Sequence, residues 1–192
     1  MKLEKRKRTG LRLALGIVAL AVETQPVRAE APSLQVVDTA ASPLKLSAPE
    51  GWRVHIQKPQ HKDLATIASL NSPCAGIDIS VMIQLDQNVK SPDKLLQDQY
   101  PNVKPTALRG SSCVVRQANT EAMCVRKLSG LGGVVSVYFA TTDAGAFNAL
   151  GGGELAAAVA ASLGWKGGSV AKLAEWERPG IALSKDACPK TK

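Results

Sequence analysis

The sequence predicts an α+β fold, an antiparallel sheet with helices packed on it and disulfides bracing it. Three observations carry this. Ile77 to Leu85 alternates aliphatic and polar side chains, the pattern of a strand with one buried face. Val134 to Thr142 (VVSVYFATT) is rich in branched and aromatic residues, as a well-buried strand is. The order of elements is three strands, a helix from Ser91-Pro92-Asp93, several more strands and a helix at Glu154–Leu163.

Taken in order, the chain opens with a secretory signal peptide. Lys2, Lys5, Arg6, Lys7, Arg8 and Arg12 form a basic segment, and Leu13 to Val22 is an apolar run of ten. Val27-Arg28-Ala29 and Ala29-Glu30-Ala31 set small or short residues where a signal peptidase reads. The apolar run is shorter than the roughly 20 residues that a bilayer core requires. Cleavage is expected after Ala29 or Ala31, leaving no stable membrane anchor. No paired-arginine motif is present, so the general secretion route and a bacterial periplasm are the expected path and destination. The first cysteine is Cys74, so none stands at the cleavage point to accept a lipid.

The formal charge of +8 is carried largely by this segment. Residues 1–29 hold seven Lys/Arg and two Asp/Glu, so the remaining 163 residues carry 17 basic and 14 acidic groups, a net +3. No dense basic run lies beyond it, and nucleic acid is not an expected partner.

Residues 30–43 read as a flexible leader with a short strand at Leu34–Val37. A single domain is expected over 44–166, followed by a C-terminal extension over 167–192. Lys45 to Gln57 holds two strand-like pieces around the turn Pro49-Glu50-Gly51; Trp52, Val54 and Ile56 form the apolar face of the second. Leu64 to Leu70 is the next strand, broken by Asn71-Ser72-Pro73. In Ile77–Leu85 a slip of one residue would turn five aliphatics to water, so the register is strongly specified. Ser91 caps a short helix with Pro92 at its first position and Asp93 complementing its dipole; Pro101 ends it. Ala107 to Leu128 reads as a hairpin or two short strands. After Val134–Thr142, Ala144–Leu150 is a helical turn and Gly151-Gly152-Gly153 a flexible connector. Glu154–Leu163 is a helix with a Leu155, Val159, Leu163 stripe and Gly164 placed as its C-terminal cap. Ser169 to Trp176 could be helical.

The strand start at Ala48 to Trp52 with its Pro-Glu-Gly-Trp, the Ile77–Leu85 strand and the Ser91-Pro92-Asp93 helix resemble the PsbP/DcrB-like group. So do the Val134–Thr142 strand and the closing helix. The resemblance spans roughly Lys45 to Trp165. It implies a small accessory or binding domain, usually non-catalytic, and supplies no functional residues.

Four cysteines, Cys74, Cys113, Cys124 and Cys188, suit an exported chain with two disulfides, and three connectivities are open. A hairpin over Val114–Met123, if it forms, would choose among them. With Ala118-Asn119 as a two-residue turn, 117 pairs with 120, 116 with 121, and Cys113 stands opposite Cys124. Cys74 is then left for Cys188. The tip would present Arg116, Gln117, Asn119, Thr120 and Glu121 to a protein partner in the cell envelope.

No catalytic, metal or cofactor set stands out. Only His55 and His61 exist, on the polar side of a strand and in a loop, and both read as solvated. A Cys–His nucleophile pair would need a free thiolate, which paired cysteines do not offer. Neither CxxC nor CxxCH occurs, against a thioredoxin-like site or attached haem. The glycine run does not match GxGxxG or the P-loop pattern, and Arg126-Lys127 reads as a solvated strand end. The expected function is therefore a non-catalytic periplasmic binding or accessory protein acting through protein–protein contacts. The second reading is an inhibitor or immunity protein against a secreted toxin or cell-wall hydrolase.

Overall fold

The structure is a computed structural model and describes residues 33–37, 44–56, 64–72, 79–130 and 132–167. Its strands are β1 (Leu34–Val36), β2 (Leu44–Lys45), β3 (Ser47–Pro49), β4 (Arg53–Ile56), β5 (Leu64–Asn71) and β6 (Ile79–Asp86). Helix α1 (Pro92–Gln99) follows, then β7 (Thr106–Leu108), β8 (Ser111–Arg116), β9 (Glu121–Lys127) and β10 (Val134–Thr141). The chain closes with α2 (Ala144–Ala149), α3 (Gly153–Ser162) and β11 (Gly164–Trp165). Seven strands form one sheet in the order β4-β5-β6-β10-β9-β8-β7, every neighbouring pair antiparallel. Two meanders, β4-β5-β6 and β7-β8-β9-β10, are thus joined by the pairing of β10 with β6. The expected α+β class and antiparallel sheet are found.

One face of the sheet is apolar because alternate residues of each strand point to it. Val54, Ala68, Leu70, Ile83, Leu85, Val135, Val137, Phe139, Ala122 and Cys124 are all buried there. A bulge between Thr66 and Ala68 shifts the β5 register. It lets the consecutive residues Ile67 and Ala68 both enter the core. Helix α2 docks through Phe147, whose ring stacks on Phe139 with centroids 5.2 Å apart.

Helix α3 is buried on more than the Leu155, Val159, Leu163 stripe. Ala156, Ala157 and Ala160 are buried in the same core as Leu44, Leu46 and Ala48 of the β2–β3 segment, and Ala158 is buried as well. Ser162 Oγ accepts from Ser47 N at 2.9 Å and ties that segment to the helix end.

Gly164 is not the cap that its position suggested. Leu163 is extended, and Gly164–Trp165 pairs with Lys45 and Leu44 as a strand. The helix carbonyls are served from the sheet instead: Arg126 Nη1 donates to Ala160 O at 3.2 Å and Ala161 O at 3.1 Å. A cation at a helix C-terminus also complements the helix dipole. Arg126 is therefore more than a solvated strand end.

The glycine run is a packed elbow rather than a flexible connector. A Cβ on Gly152 (φ +45°) would lie 2.5 Å from the Phe147 ring, and one on Gly153 would lie 2.4 Å from Val115 Cγ2.

The other face is covered at one end by α1. Ser91 Oγ accepts from Lys94 N at 3.3 Å, and Pro92 stands at the first turn, as expected. Leu96 is buried with Val114, Met123, Val125 and Val134 in a second, smaller core. Ser112 Oγ donates to Asp93 and fixes the helix start to β8. The Ala107–Leu128 region holds three strands, not two. Arg109 (φ +48°) and Gly110 (φ +76°) make the extra turn, and Arg109 Nε reaches Glu154 Oε2 at 3.1 Å.

Gly133 leads into β10 with φ +89°, and a Cβ there would fall 2.0 Å from the backbone oxygen of Asp86. Gly133→Ala should destabilise the fold by about 2 kcal/mol or more, from left-handed strain and overpacking together. Chemical denaturation measures this; an unchanged midpoint would refute the close approach.

Candidate functional site

The β8–β9 hairpin joins a covalent cross-link to a polar tip. Cys113 stands opposite Cys124 and Arg116 opposite Glu121, as the sequence predicted. The two cysteines form a disulfide with Cα atoms 4.1 Å apart, the close spacing of a non-hydrogen-bonded pair. Both are buried, and Cys124 Sγ lies 3.8 Å from Gly153 O beneath the start of α3. Cys74 and Cys188 lie outside the described residues, as do His61, the signal segment and the 168–192 tail.

The turn itself differs from the expected one. Gln117 and Thr120 are not partners in the strand ladder; Gln117–Asn119 forms a 3-10 turn in which Thr120 N donates to Gln117 O at 3.1 Å, and Thr120 takes the left-handed conformation (φ 49°, ψ 44°). A two-residue turn of the primed type needs positive φ at Ala118 or at both positions, which alanine resists. The four-residue loop needs it only once. Two- and four-residue loops have the same parity, so Arg116 still meets Glu121 and Cys113 still meets Cys124. Thr120, a β-branched residue in a costly conformation, is held by its own bonds. Its Oγ1 donates to Thr141 O, and its carbonyl accepts from Thr141 N at 3.2 Å. The tip is thereby anchored to the end of β10.

The side chains at the tip form one network. Arg116 Nη1 donates to Glu121 Oε1 at 2.7 Å. Tyr138 on β10 donates its hydroxyl to Glu121 Oε2, also at 2.7 Å. The Arg116 guanidinium lies over the Tyr100 ring, 5.7 Å from its centroid. With its oxygen turned toward the guanidinium, the Asn119 amide accepts from Arg116 Nη2 and Nη1. Gln117, Ala118 and Asn119 are exposed; Arg116, Thr120 and Glu121 are half-buried. Of the five candidate contact residues, Gln117 and Asn119 project, while Arg116, Thr120 and Glu121 also brace the loop.

Tyr100 and Tyr138 belong to this site, and sequence reasoning missed both. Tyr138 is diagonal to Glu121, since its direct partner on β9 is Met123 and Ala140 faces Glu121. That signal is readable only once the β9–β10 register is known. Tyr100 arrives as the C-terminal cap of α1, and nothing local announces it.

Electrostatics follow from this placement. Burial, the hydrogen bond to Glu121 and the Glu121 charge push the Tyr138 phenol up to about 12. Burial and then Glu121 raise Tyr100, against a lowering by Arg116.

His55 stands in β4 opposite Ser69. Among the described residues no group of three His, Cys, Asp or Glu could hold a metal ion, and no helix is long and apolar enough to cross a membrane. No protein-family model, curated protein or solved structure matches the chain.

Removing the cross-link as Cys113→Ala/Cys124→Ala should cost about 3 kcal/mol on the chain-entropy model, a Tm loss of roughly 6–12 °C. Scanning calorimetry checks it, and an unchanged Tm would show that the hydrogen-bonded tip alone sets the loop.

A spectrophotometric tyrosine titration should show one phenol ionising near 12, and Glu121→Gln should lower it part of the way, since burial, the largest cause, remains. The folded-state pKa lies above the ordinary 10.0, so the contribution of this group to stability is complete below pH 10 and is lost as pH rises through about 12.

Proposed function

We propose that this chain is an exported, non-catalytic binding or accessory protein of the cell envelope. It acts through protein–protein contacts made by the Gln117–Asn119 tip. The export reading rests on the basic, apolar and small-residue segments before Pro32. A buried disulfide is consistent with an oxidising compartment.

We also propose membership of the PsbP/DcrB-like group. Its support is the ordered presence of the elements on which the resemblance rests. The Pro49–Trp52 turn, with Trp52 N donating to Pro49 O at 3.2 Å, precedes β4. Strand β6, the Ser91-capped α1, strand β10 and the closing helix α3 follow in the expected sequence.

The observation that carries the contact proposal is the bracing of the tip from two sides. The Arg116–Glu121 pair closes the last rung, and a disulfide lies three rungs below that pair. A loop ordered in advance loses less entropy when it binds, so its exposed amides can contribute more to affinity.

A photo-reactive residue placed at Ala118 in exporting bacterial cells tests this. A discrete adduct is expected that weakens in the Gln117→Ala/Asn119→Ala background. A probe at Glu50, exposed in the β3–β4 turn, should not give it. Equal adducts from both positions, or none from Ala118, would remove the tip from the functional account.

A further inference from the structure

We infer that Arg116 is the recognition residue of the tip and takes the carboxylate of an Asp or Glu on the partner protein. This rests on the tip being the contact element, and it adds the partner's chemistry.

The pair at the last rung is asymmetric. The Arg116 side chain keeps 40% of its surface, whereas Glu121 keeps 15%. Both carboxylate oxygens of Glu121 are engaged, Oε1 by Arg116 and Oε2 by Tyr138. Glu121 therefore has little left to offer a cation on a partner. A guanidinium has five N–H donors. The contacts to Glu121 and Asn119 use only the Nη end, and Nε has no partner among the described residues. The edge formed by Nε and Nη2 is the fork that accepts a carboxylate side-on, and such charge-assisted pairs are stronger than neutral ones.

The guanidinium is also positioned before any partner arrives. Tyr100 supports one flat face, Glu121 holds one nitrogen, and Asn119 holds the end. Arginines anchored in this way dominate many interfaces, because little rotamer freedom remains to be lost. Tyr100 and Glu121 act on the partner only through Arg116 and are positioning residues.

The test uses the full-length exported protein and two blocked peptides, acetyl-Gly-Glu-Gly-amide and acetyl-Gly-Gln-Gly-amide. The glutamate peptide should shift the Arg116 Nε–H resonance saturably. The glutamine peptide, and sodium chloride at matched ionic strength, should not. A shift reproduced by either control, or no shift at all, would overturn the assignment.

The Ala118 adduct supplies the second readout. Arg116→Lys keeps the charge but loses the fork and should lower its yield about tenfold; Tyr100→Leu should lower it severalfold. Retention of the disulfide, checked by unreduced peptide mapping, shows that each variant has folded its hairpin. If Arg116→Lys keeps the full yield while Gln117→Ala/Asn119→Ala loses it, the tip stands and the carboxylate assignment falls. If neither variant changes the yield, both fall.

Discussion

The pairing of β6 with β10 is the constraint on which the rest of the structure depends. Eight rungs run from Val134 opposite Asp86 to Thr141 opposite Ile79. Before this ladder forms, the chain is two separate meanders of adjacent strands, each cheap to close because its loops are short. The ladder joins them across the length of α1, β7, β8 and β9, and loop-closure entropy opposes it. What offsets the entropy is apolar burial on one face, where Ile83, Leu85, Val135, Val137 and Phe139 all leave water. Gly133 must come close to Asp86 because the ladder begins there.

Once β10 is in place, it organises both faces. On one, Phe139 receives Phe147, and the elbow Gly151–Gly153 turns the chain directly into α3. The elbow needs glycine because α3 begins against Val115 and the Phe147 ring. On the other, Tyr138 reaches Glu121, and at the strand end the Thr141 backbone holds Thr120. The hairpin tip is therefore not an isolated loop on two strands. It is docked on the central strand of the sheet and, through Tyr100, on the end of α1.

The tip also shows how a polar group can be kept at an edge without being wasted. An exposed ion pair is worth little, because water and salt screen it and its long side chains must be ordered. Here the sheet and helix supply the order. Glu121 is satisfied by two donors and turned inward, while Arg116 rests on an aromatic face with an edge still open to solvent. The energetic worth of such an arrangement lies less in stability than in a guanidinium whose position is settled in advance.

Period and parity were legible in the sequence. Ile77–Leu85 and Val134–Thr142 declared themselves as strands through alternation and branched residues, and Ser91-Pro92-Asp93 declared a helix start. The Cys113–Cys124 pairing followed from counting outward from Ala118-Asn119. It survived an incorrect turn because a four-residue loop preserves the register of a two-residue one. What the sequence could not supply were relations between residues far apart in the chain. Arg126 ends α3 because the β9 strand runs beneath it, although Gly164 looked the better cap by local rules. Tyr100 and Tyr138 meet the Arg116–Glu121 pair only because α1 covers β8 and β9 while β10 flanks β9. Local propensity acts over a few residues. The partners of a half-buried charge are chosen by which strands neighbour one another, and the long-range β6–β10 ladder decides that.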